Sequence, residues 1–333
     1  MKRIAGALAL ATLLIFTAAF AAEGFHVINK IKVGGSGGWD YLTVDNASHR
    51  LFVSHGSQVE VVDLDKGEKA GAITETPGVH GIAIANDLGK GFISAGQSNA
   101  AIIFDLKTLQ KTGQVATERN PDAICYEPKT KRVFTFNHSA NSATAIDAGA
   151  GKAISTFQIG DTPEFCVVDG AGMVYANLEG SSEVVEIDAA KAAVTRRAKL
   201  APCEGPTGLA IDVKNRKLFS SCEAVMAVTD IATMKVIATP RIGGGADGAG
   251  FDPDLGLAFS SKGRDGTLSI IKLVNGKYEN VDTVQTAAGA RTMTVDTRLH
   301  RIYESAAETK PPEGGRGRGQ VVPDSFGVLV VGK

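Results

Sequence analysis

The stretches Asp40-Tyr-Leu-Thr-Val-Asp45 and Thr207-Gly-Leu-Ala-Ile-Asp212 are two copies of one pattern, in which a polar residue begins a short apolar run. The chain carries seven copies, 40 to 44 residues apart, and we call the first residue of each copy its anchor. The anchors are Asp40, His80, Asp122, Glu164, Thr207, Asp247 and Arg291. An aromatic residue follows each anchor by twelve positions, or by eleven in the fourth copy: Phe52, Phe92, Phe134, Tyr175, Phe219, Phe259 and Tyr303. Repeats of this length, each with four short strand patterns, predict an all-β, seven-bladed β-propeller.

The last repeat lacks a fourth strand pattern. Its three strands are predicted at residues 292–295, 301–304 and 326–331. We expect residues 25–33, which precede the first full repeat, to supply the missing outer strand. Closing the ring in this way pairs a sheet edge that would otherwise invite aggregation.

Residues 1–21 have the pattern of a secretory signal peptide. Lys2 and Arg3 give a positive start, an uncharged apolar run follows, and Ala19-Phe20-Ala21 has the small residues of a cleavage site. The apolar run is short for a bilayer span. The sequence therefore predicts an exported protein, periplasmic or secreted, whose residues 22–333 form one propeller domain without a membrane span.

The charge balance argues against nucleic acid as a partner. The 333-residue chain has a formal net charge of -1, and loss of Lys2 and Arg3 would change it to -3. A nucleic-acid-binding domain usually carries a basic patch. The single tryptophan, Trp39, also offers little surface for stacking bases. Binding of single-stranded nucleic acid is therefore the least favoured hypothesis.

Two blades resemble a known repeat. Phe134-Thr-Phe-Asn137 followed by Ser139-Ala-Asn-Ser-Ala-Thr-Ala-Ile-Asp147 resembles the YVTN-type repeat of YncE-like β-propellers, and residues 92–105 are a weaker copy. The final segment, 323–331, is similar to exported members of this group. Tyr175-Ala-Asn177 departs from the pattern by one residue, and no blade contains the literal four-letter motif. The resemblance implies a seven-bladed, exported propeller and supplies no catalytic motif.

The anchors are the predicted ligand site. In this type of propeller the start of the first strand and the loop between the second and third strands lie on one face. All seven anchors should therefore surround the mouth of the central channel, with His55 and His138 beside them on the loops. Polar residues are also expected at a water-filled propeller mouth that has no function. The interpretation that this ring binds no ligand therefore remains open.

The chemistry of this ring leaves two functions open. Asp40, His80, Asp122, Glu164 and Asp247 are the candidate ligands of a divalent cation such as calcium or zinc. The same residues could supply a general acid and base. We favour a monomeric binding or interaction module for a small molecule or a protein. The alternative is a metal-dependent lactonase or hydrolase, and the sequence does not decide whether any catalysis occurs.

The four cysteines fall into two pairs. Cys203 and Cys222 are predicted on the mouth face of one blade, so we expect a disulfide between them in an oxidising compartment. Cys125 and Cys166 lie on inner strands of neighbouring blades and are expected to be buried free thiols. A zinc site built from Cys203 and Cys222 lacks the usual C-x-x-C spacing.

Two further features come from the loops. Residues 306–325 form a long loop in which Arg316 and Arg318 could meet an anionic ligand as a flexible lid, while a solvated tether is the simpler interpretation. The turns between the first and second strands carry a recurring aspartate, joined by two histidines. We expect these to be structural, because Asp caps nearby backbone N–H groups: Asp45, Asp212, Asp252, Asp296, His49 and His300.

Overall fold

The computed structural model describes residues 24–310 and 320–333. The predicted signal peptide, along with Arg316 and Arg318 of the long loop, lies outside the described residues. Among the described residues, no helix has the length and apolar character that crossing a lipid bilayer requires. Helical structure there consists of single 3₁₀ turns at Asn86–Leu88, Gly96–Ser98 and His138–Ala140.

The described residues form seven four-stranded antiparallel sheets, each a blade with strands A to D from the centre outward, and in blades 1 to 6 these strands follow chain order. Blade 1 comprises Trp39–Asp45, Arg50–His55, Gln58–Asp63 and Glu68–Ile73. Blade 2 comprises Val79–Ala85, Lys90–Ala95, Ala100–Asp105 and Lys111–Ala116. Blade 3 comprises Pro121–Glu127, Arg132–Asn137, Ser142–Asp147 and Lys152–Gln158. Every predicted repeat thus becomes one sheet.

The next three blades follow the same plan. Blade 4 comprises Pro163–Val168, Met173–Leu178, Glu183–Asp188 and Ala193–Lys199. Blade 5 comprises Leu209–Asp212, Lys217–Ser221, Met226–Asp230 and Lys235–Ala238. Blade 6 comprises Ala246–Asp252, Leu257–Lys262, Thr267–Val274 and Lys277–Gln285. The prediction of an all-β, seven-bladed propeller is confirmed.

Blade 7 closes the ring with a strand from the start of the chain. Strands A, B and C are Met293–Asp296, Arg301–Ala306 and Gly327–Gly332, and strand D is His26–Lys32. Strand D pairs antiparallel with strand C, from His26 opposite Gly332 to Lys32 opposite Gly327. The predicted closing strand is confirmed to within one residue at each end.

Tight packing near the axis explains the small residues of strand A. A Cβ added to Gly81 would lie 2.9 Å from the Ile124 side chain and 3.3 Å from the carbonyl oxygen of Asp122. A Cβ added to Gly208 would lie 2.4 Å from the carbonyl oxygen of Asp247. A side chain at either position would force the neighbouring inner strand to shift, because the two strands are in contact there.

The recurring aromatics fill the spaces between blades. Each is at most 2% exposed, and burial of one such ring stabilises the fold by about 2 kcal/mol: Phe52, Phe92, Phe134, Tyr175, Phe219, Phe259 and Tyr303. The burial covers both faces of each sheet, so the strands need not alternate apolar and polar residues.

The turn aspartates act as structural caps. Asp45 Oδ1 accepts a hydrogen bond from the Ala47 backbone at 3.0 Å, and Asp212, Asp252 and Asp296 do the same for nearby amides. The histidines of this set link neighbouring blades, since His49 Nε2 lies 3.0 Å from Asp296 and His300 Nδ1 lies 2.8 Å from Asp252.

The long loop after strand B of blade 7 contains a short ladder. Thr309–Lys310 pairs antiparallel with Gln320–Val321, and the Val322 amide donates to the carbonyl oxygen of Glu308 at 2.8 Å. The base of the loop is therefore an ordered hairpin stem.

Candidate functional site

One end of the channel holds a cavity of about 1470 Å³, lined by all seven anchors. Glu179, Glu204 and Glu223, from loops of blades 4 and 5, complete the acidic part of its wall, and Arg264 lies on its rim. The anchors meet there because each stands within two residues of the start of strand A, the innermost strand. The repeat pattern therefore delivers one polar side chain per blade to the same mouth.

A recurring serine in strand B holds the anchors in place. Ser54 Oγ accepts a hydrogen bond from the Asp40 amide at 2.8 Å, and Ser94 Oγ accepts one from the Gly81 amide at 2.8 Å. Ser261 Oγ donates to the carbonyl oxygen of Arg291 in the next blade. These buried hydroxyls fix the backbone that presents the anchors. A serine stands fourteen residues past five of the seven anchors in the sequence, and this spacing could have identified these hydroxyls.

Arg291 neutralises one side of the mouth. Its guanidinium donates to Asp247 Oδ2 at 2.6 Å and lies 3.1 Å from Asp40 Oδ1. A third contact, to the carbonyl oxygen of Trp39 at 2.9 Å, fixes the orientation of the fork. Burial raises the pKa of Asp247 although Arg291 acts in the opposite direction.

His80 lies between two carboxylates. Its Nδ1 is 2.6 Å from Asp40 Oδ2 and 3.8 Å from Asp122 Oδ1. Burial lowers the pKa of His80, but the hydrogen bond to Asp40 and the field of Asp122 outweigh burial and raise it overall. Burial, followed by repulsion from Asp40, raises the pKa of Asp122 to about 7, and the attraction of His80 only partly offsets this. Asp122 thus lacks a full counter-charge.

Glu164 of the neighbouring blade 4 forms a second group with His138 from a loop of blade 3. His138 Nε2 lies 3.3 Å from Glu164 Oε1, and this contact raises the pKa of His138. Burial and the nearby Glu179 raise the pKa of Glu164. At the rim, Glu223 is exposed and receives a hydrogen bond from Arg264.

Two aromatic side chains close the bottom of the cavity. Tyr41 of blade 1 meets Phe165 of blade 4 at the axis, and the Tyr41 hydroxyl is 3.5 Å from Glu164 Oε2. A smaller cavity of about 350 Å³, with mainly apolar lining, lies in the remaining part of the channel and includes Phe165 in its wall. Sequence reasoning missed this pair, although both residues directly follow an anchor where the other blades have Gly, Ala or Thr.

The placement of His55 corrects the sequence expectation. Its ring is buried and stacks on Phe326 with centroids 4.1 Å apart, and its Nδ1 is 3.5 Å from Glu60. His55 is the last residue of strand B, and its side chain turns into the packing between blades 1 and 7 instead of lining the cavity. It therefore does not belong to the mouth.

The metal candidates separate into different groups. Ligand atoms of Asp40, His80 and Asp122 lie within 4.8 Å of one another, as do those of His138, Glu164 and Glu179. A third group, Asp252, Asp254 and His300, is formed by turn residues away from the mouth. Asp247 belongs to none of these groups and is held by Arg291. The first group offers a nitrogen and two carboxylates, a donor set suited to zinc.

The predicted disulfide is confirmed. Cys203 and Cys222 are bonded, with Cα atoms 5.5 Å apart. The bond lies beside Glu204 and Glu223, so it restrains two loops that line the mouth. Cys125 and Cys166 are buried free thiols, as expected.

Comparisons with known proteins identify the architecture. No protein-family model and no curated protein matches this chain. A solved structure described as Kuenenia stuttgartiensis hydrazine synthase aligns with a TM-score of 0.72 and 15% identity, covering 82% of this chain and 94% of that one. Structures described as U3-55K and as the RRP9 WD40 repeats align with TM-scores of 0.79 and 0.78, each at 9% identity over 92% of this chain and 98% of theirs. Likeness at such identities establishes a β-propeller fold, and the YVTN-type resemblance stays a prediction.

Proposed function

We propose that this protein is a binding module that takes a cationic ligand at the channel mouth. The observation that carries this proposal is the excess of negative charge in one cavity. Seven carboxyl groups line it against two guanidinium groups, a formal excess of five negative charges that protonation of His80 or Asp122 would reduce. Low-dielectric walls concentrate such a field and attract cations. A cavity at the end of a rigid scaffold is also the usual place for a ligand.

The deeper carboxylates are the ones available to a ligand. Asp247 and Glu223 are engaged by arginines. By contrast, Asp122 Oδ1 is buried and has no hydrogen-bond donor among the described residues. Burial also raises the pKa of Asp122 and of Glu164, which means that added positive charge would stabilise both carboxylates. We therefore assign the ligand's positive charge to the space between Asp122 and Glu164.

The proposal is tested by calorimetric titration of the mature chain with calcium chloride, zinc chloride and the diamine putrescine. We expect saturable binding of at least one cation, weakened about tenfold or more by Asp122→Asn or Glu164→Gln, a loss of about 1.4 kcal/mol or more. The matched control is Glu279→Gln, which replaces an exposed carboxylate on the outer strand of blade 6. Absence of binding by every cation, or equal affinity in all three variants, would refute a mouth site.

A second candidate function rests on the group of Asp40, His80 and Asp122. Three potential ligand atoms within 4.8 Å of one another support the divalent-metal-dependent hydrolase or lactonase alternative. Stoichiometric metal in the purified protein, with hydrolysis of a lactone or ester that His80→Ala abolishes, would favour this alternative. Stoichiometric metal without hydrolysis would instead support the binding module.

Export is part of the same proposal. The disulfide between Cys203 and Cys222 supports an oxidising location, either periplasmic or secreted. Comparing the mass of the protein recovered from its native host with that of the full chain would test removal of residues 1–21.

A further inference from the structure

We infer that Cys125 and Cys166 form an oxidisable thiol pair, which becomes a disulfide between the inner strands of blades 3 and 4. Both residues are buried, and they belong to the same apolar cluster between these two blades. Cys125 is on strand A of blade 3 and Cys166 is on strand A of blade 4. The proposal concerns a modification site separate from ligand binding at the mouth.

The register between inner strands brings the two positions together. A Cβ on Gly81, one residue past its anchor, would lie 3.3 Å both from the carbonyl oxygen of Asp122 and from the amide nitrogen of Ile124. Neighbouring strands A therefore lie side by side with little offset. Cys125 is three residues past its anchor and Cys166 is two past its own. The same register in blades 3 and 4 places the two cysteines as neighbours.

The thiols also affect each other's ionisation. Burial raises the pKa of Cys166 well above its usual range, and the adjacent Cys125 raises it further. This interaction requires close approach of the two side chains, in agreement with the strand register. It also makes the thiolate rare in the folded protein, so the exchange should be slow.

A small oxidant has a route to the pair. Cys125 lines the cavity of about 350 Å³ on the far side of the Tyr41–Phe165 contact. The chain already contains one disulfide, Cys203–Cys222, so it folds under conditions that oxidise thiols.

The chemistry balances with a small dialkyl disulfide as the oxidant. The Cys125 thiolate attacks one sulfur of the reagent, a mixed disulfide forms, and the first alkyl thiolate leaves and takes a proton. The Cys166 thiolate then attacks Sγ of Cys125 and releases the second alkyl thiol. The two cysteines are oxidised by two electrons, and the reagent is reduced to two thiols.

The cross-link would join the strands that present the two deep carboxylates of the mouth. Cys125 follows Asp122 by three residues, and Cys166 follows Glu164 by two. The oxidised form would therefore hold these two anchors at a fixed separation.

The test incubates the wild-type chain with hydroxyethyl disulfide at a temperature well below the onset of unfolding, then quenches it in acid, denatures it and alkylates the remaining thiols. We expect the number of free thiols to fall from two to none, the mass to fall by about 2 Da, and one peptide pair to join Cys125 to Cys166. Cys125→Ser and Cys166→Ser should each yield no intramolecular bond at these positions. If the protein is isolated without free thiols, the same peptide pair supports the inference.

Two results would overturn the inference that Cys125 and Cys166 form an oxidisable pair. One is persistence of both free thiols in the folded wild type while the denatured chain reacts fully. The other is a separate reagent adduct on each cysteine, which would show that the sulfurs do not reach one another. Both readouts use the wild-type protein without ligand, so they do not depend on the folding of the variants or on the proposed cation site.

Discussion

The ring of Tyr41 meets the ring of Phe165 edge to face, with centroids 5.0 Å apart and planes inclined by 63°. These residues belong to blades 1 and 4, which lie on opposite sides of the channel. The contact divides the channel into a charged mouth and an apolar remainder. The mouth is therefore a closed-ended cavity with carboxylates on its walls and an aromatic floor.

Removal of the floor should cost stability. We expect Tyr41→Ala to lower the free energy of unfolding by about 3 kcal/mol, because the ring is buried and its loss leaves a void beside Phe165. Urea denaturation measures this change. Tyr41→Phe is the matched control and should cost less than about 1 kcal/mol, since the hydroxyl makes only a long contact to Glu164. Equal losses in the two variants would show that the ring does not form a packed floor.

The mouth should make the protein less stable as the pH rises. The folded pKa of Asp122 is about 7, above its unfolded value, so between these values the folded state keeps a proton that the unfolded chain has lost. The contribution of Asp122 to the free energy of unfolding is complete below the unfolded pKa and is lost as the pH rises through 7. We expect Asp122→Asn to raise the free energy of unfolding at pH 8 by about 2 kcal/mol while weakening cation binding. Denaturation at pH 5 and pH 8 checks this, and a constant difference across that range would contradict it.

Glu304 should behave as a buried acid that is protonated at neutral pH. It is fully buried, neither carboxylate oxygen has a hydrogen-bond partner among the described residues, and burial raises its pKa to about 8. Its stability contribution is present at low pH and lost as the pH rises through 8. Glu304→Gln should therefore be more stable than the wild type at pH 9 by about 2 kcal/mol. The exposed Glu308→Gln is the control, and melting curves that shift equally for both would reject a special role for Glu304.

The disulfide between Cys203 and Cys222 should stabilise the mouth as well as the fold. It closes a loop with a sequence separation of 19 residues, and loss of such a bond costs about 3 kcal/mol. We expect the double substitution Cys203→Ser, Cys222→Ser to lower the melting temperature and to speed amide hydrogen exchange at residues 204–205 and 223–224. An unchanged exchange rate in these loops would mean that the bond does not restrain them.

Deleting residues 22–33 should open the ring. The deletion removes strand D of blade 7 and leaves strand C, Gly327–Gly332, as an unpaired edge. We expect the truncated chain to be found in the insoluble fraction after expression. A soluble truncated protein with the melting temperature of the full chain would show that the closing strand is dispensable.

The repeat pattern predicted the blades well because it depends on backbone periodicity. Anchors, recurring aromatics and the missing fourth strand all reflect where strands begin and end, and each corresponds to an observed element. The closing strand could be located because a seventh sheet with three strands leaves one edge unpaired.

Side-chain direction was harder to predict. Spacing alone placed His55 beside the mouth, yet the last residue of strand B points into the packing between blades and meets Phe326. Tyr41 and Phe165 each stand one residue past an anchor, where the other blades carry Gly, Ala or Thr, so the shared pattern does not mark this position as aromatic. The partners of His80 and Arg291 depend on contacts between blades, which a comparison within repeats does not contain.

Closure by a strand from the start of the chain has a consequence for the order of assembly. Strand D of blade 7 pairs with Gly327–Gly332, which is synthesised almost 300 residues later. Until then the ring has two free ends, and contacts of this sequence separation form late and slowly. In the finished protein the same strand is the outermost layer of its blade, and most of its residues are exposed. A pulling force on the N-terminal side would therefore peel away one strand and reopen the ring there, while the other six blades keep their own complete sheets.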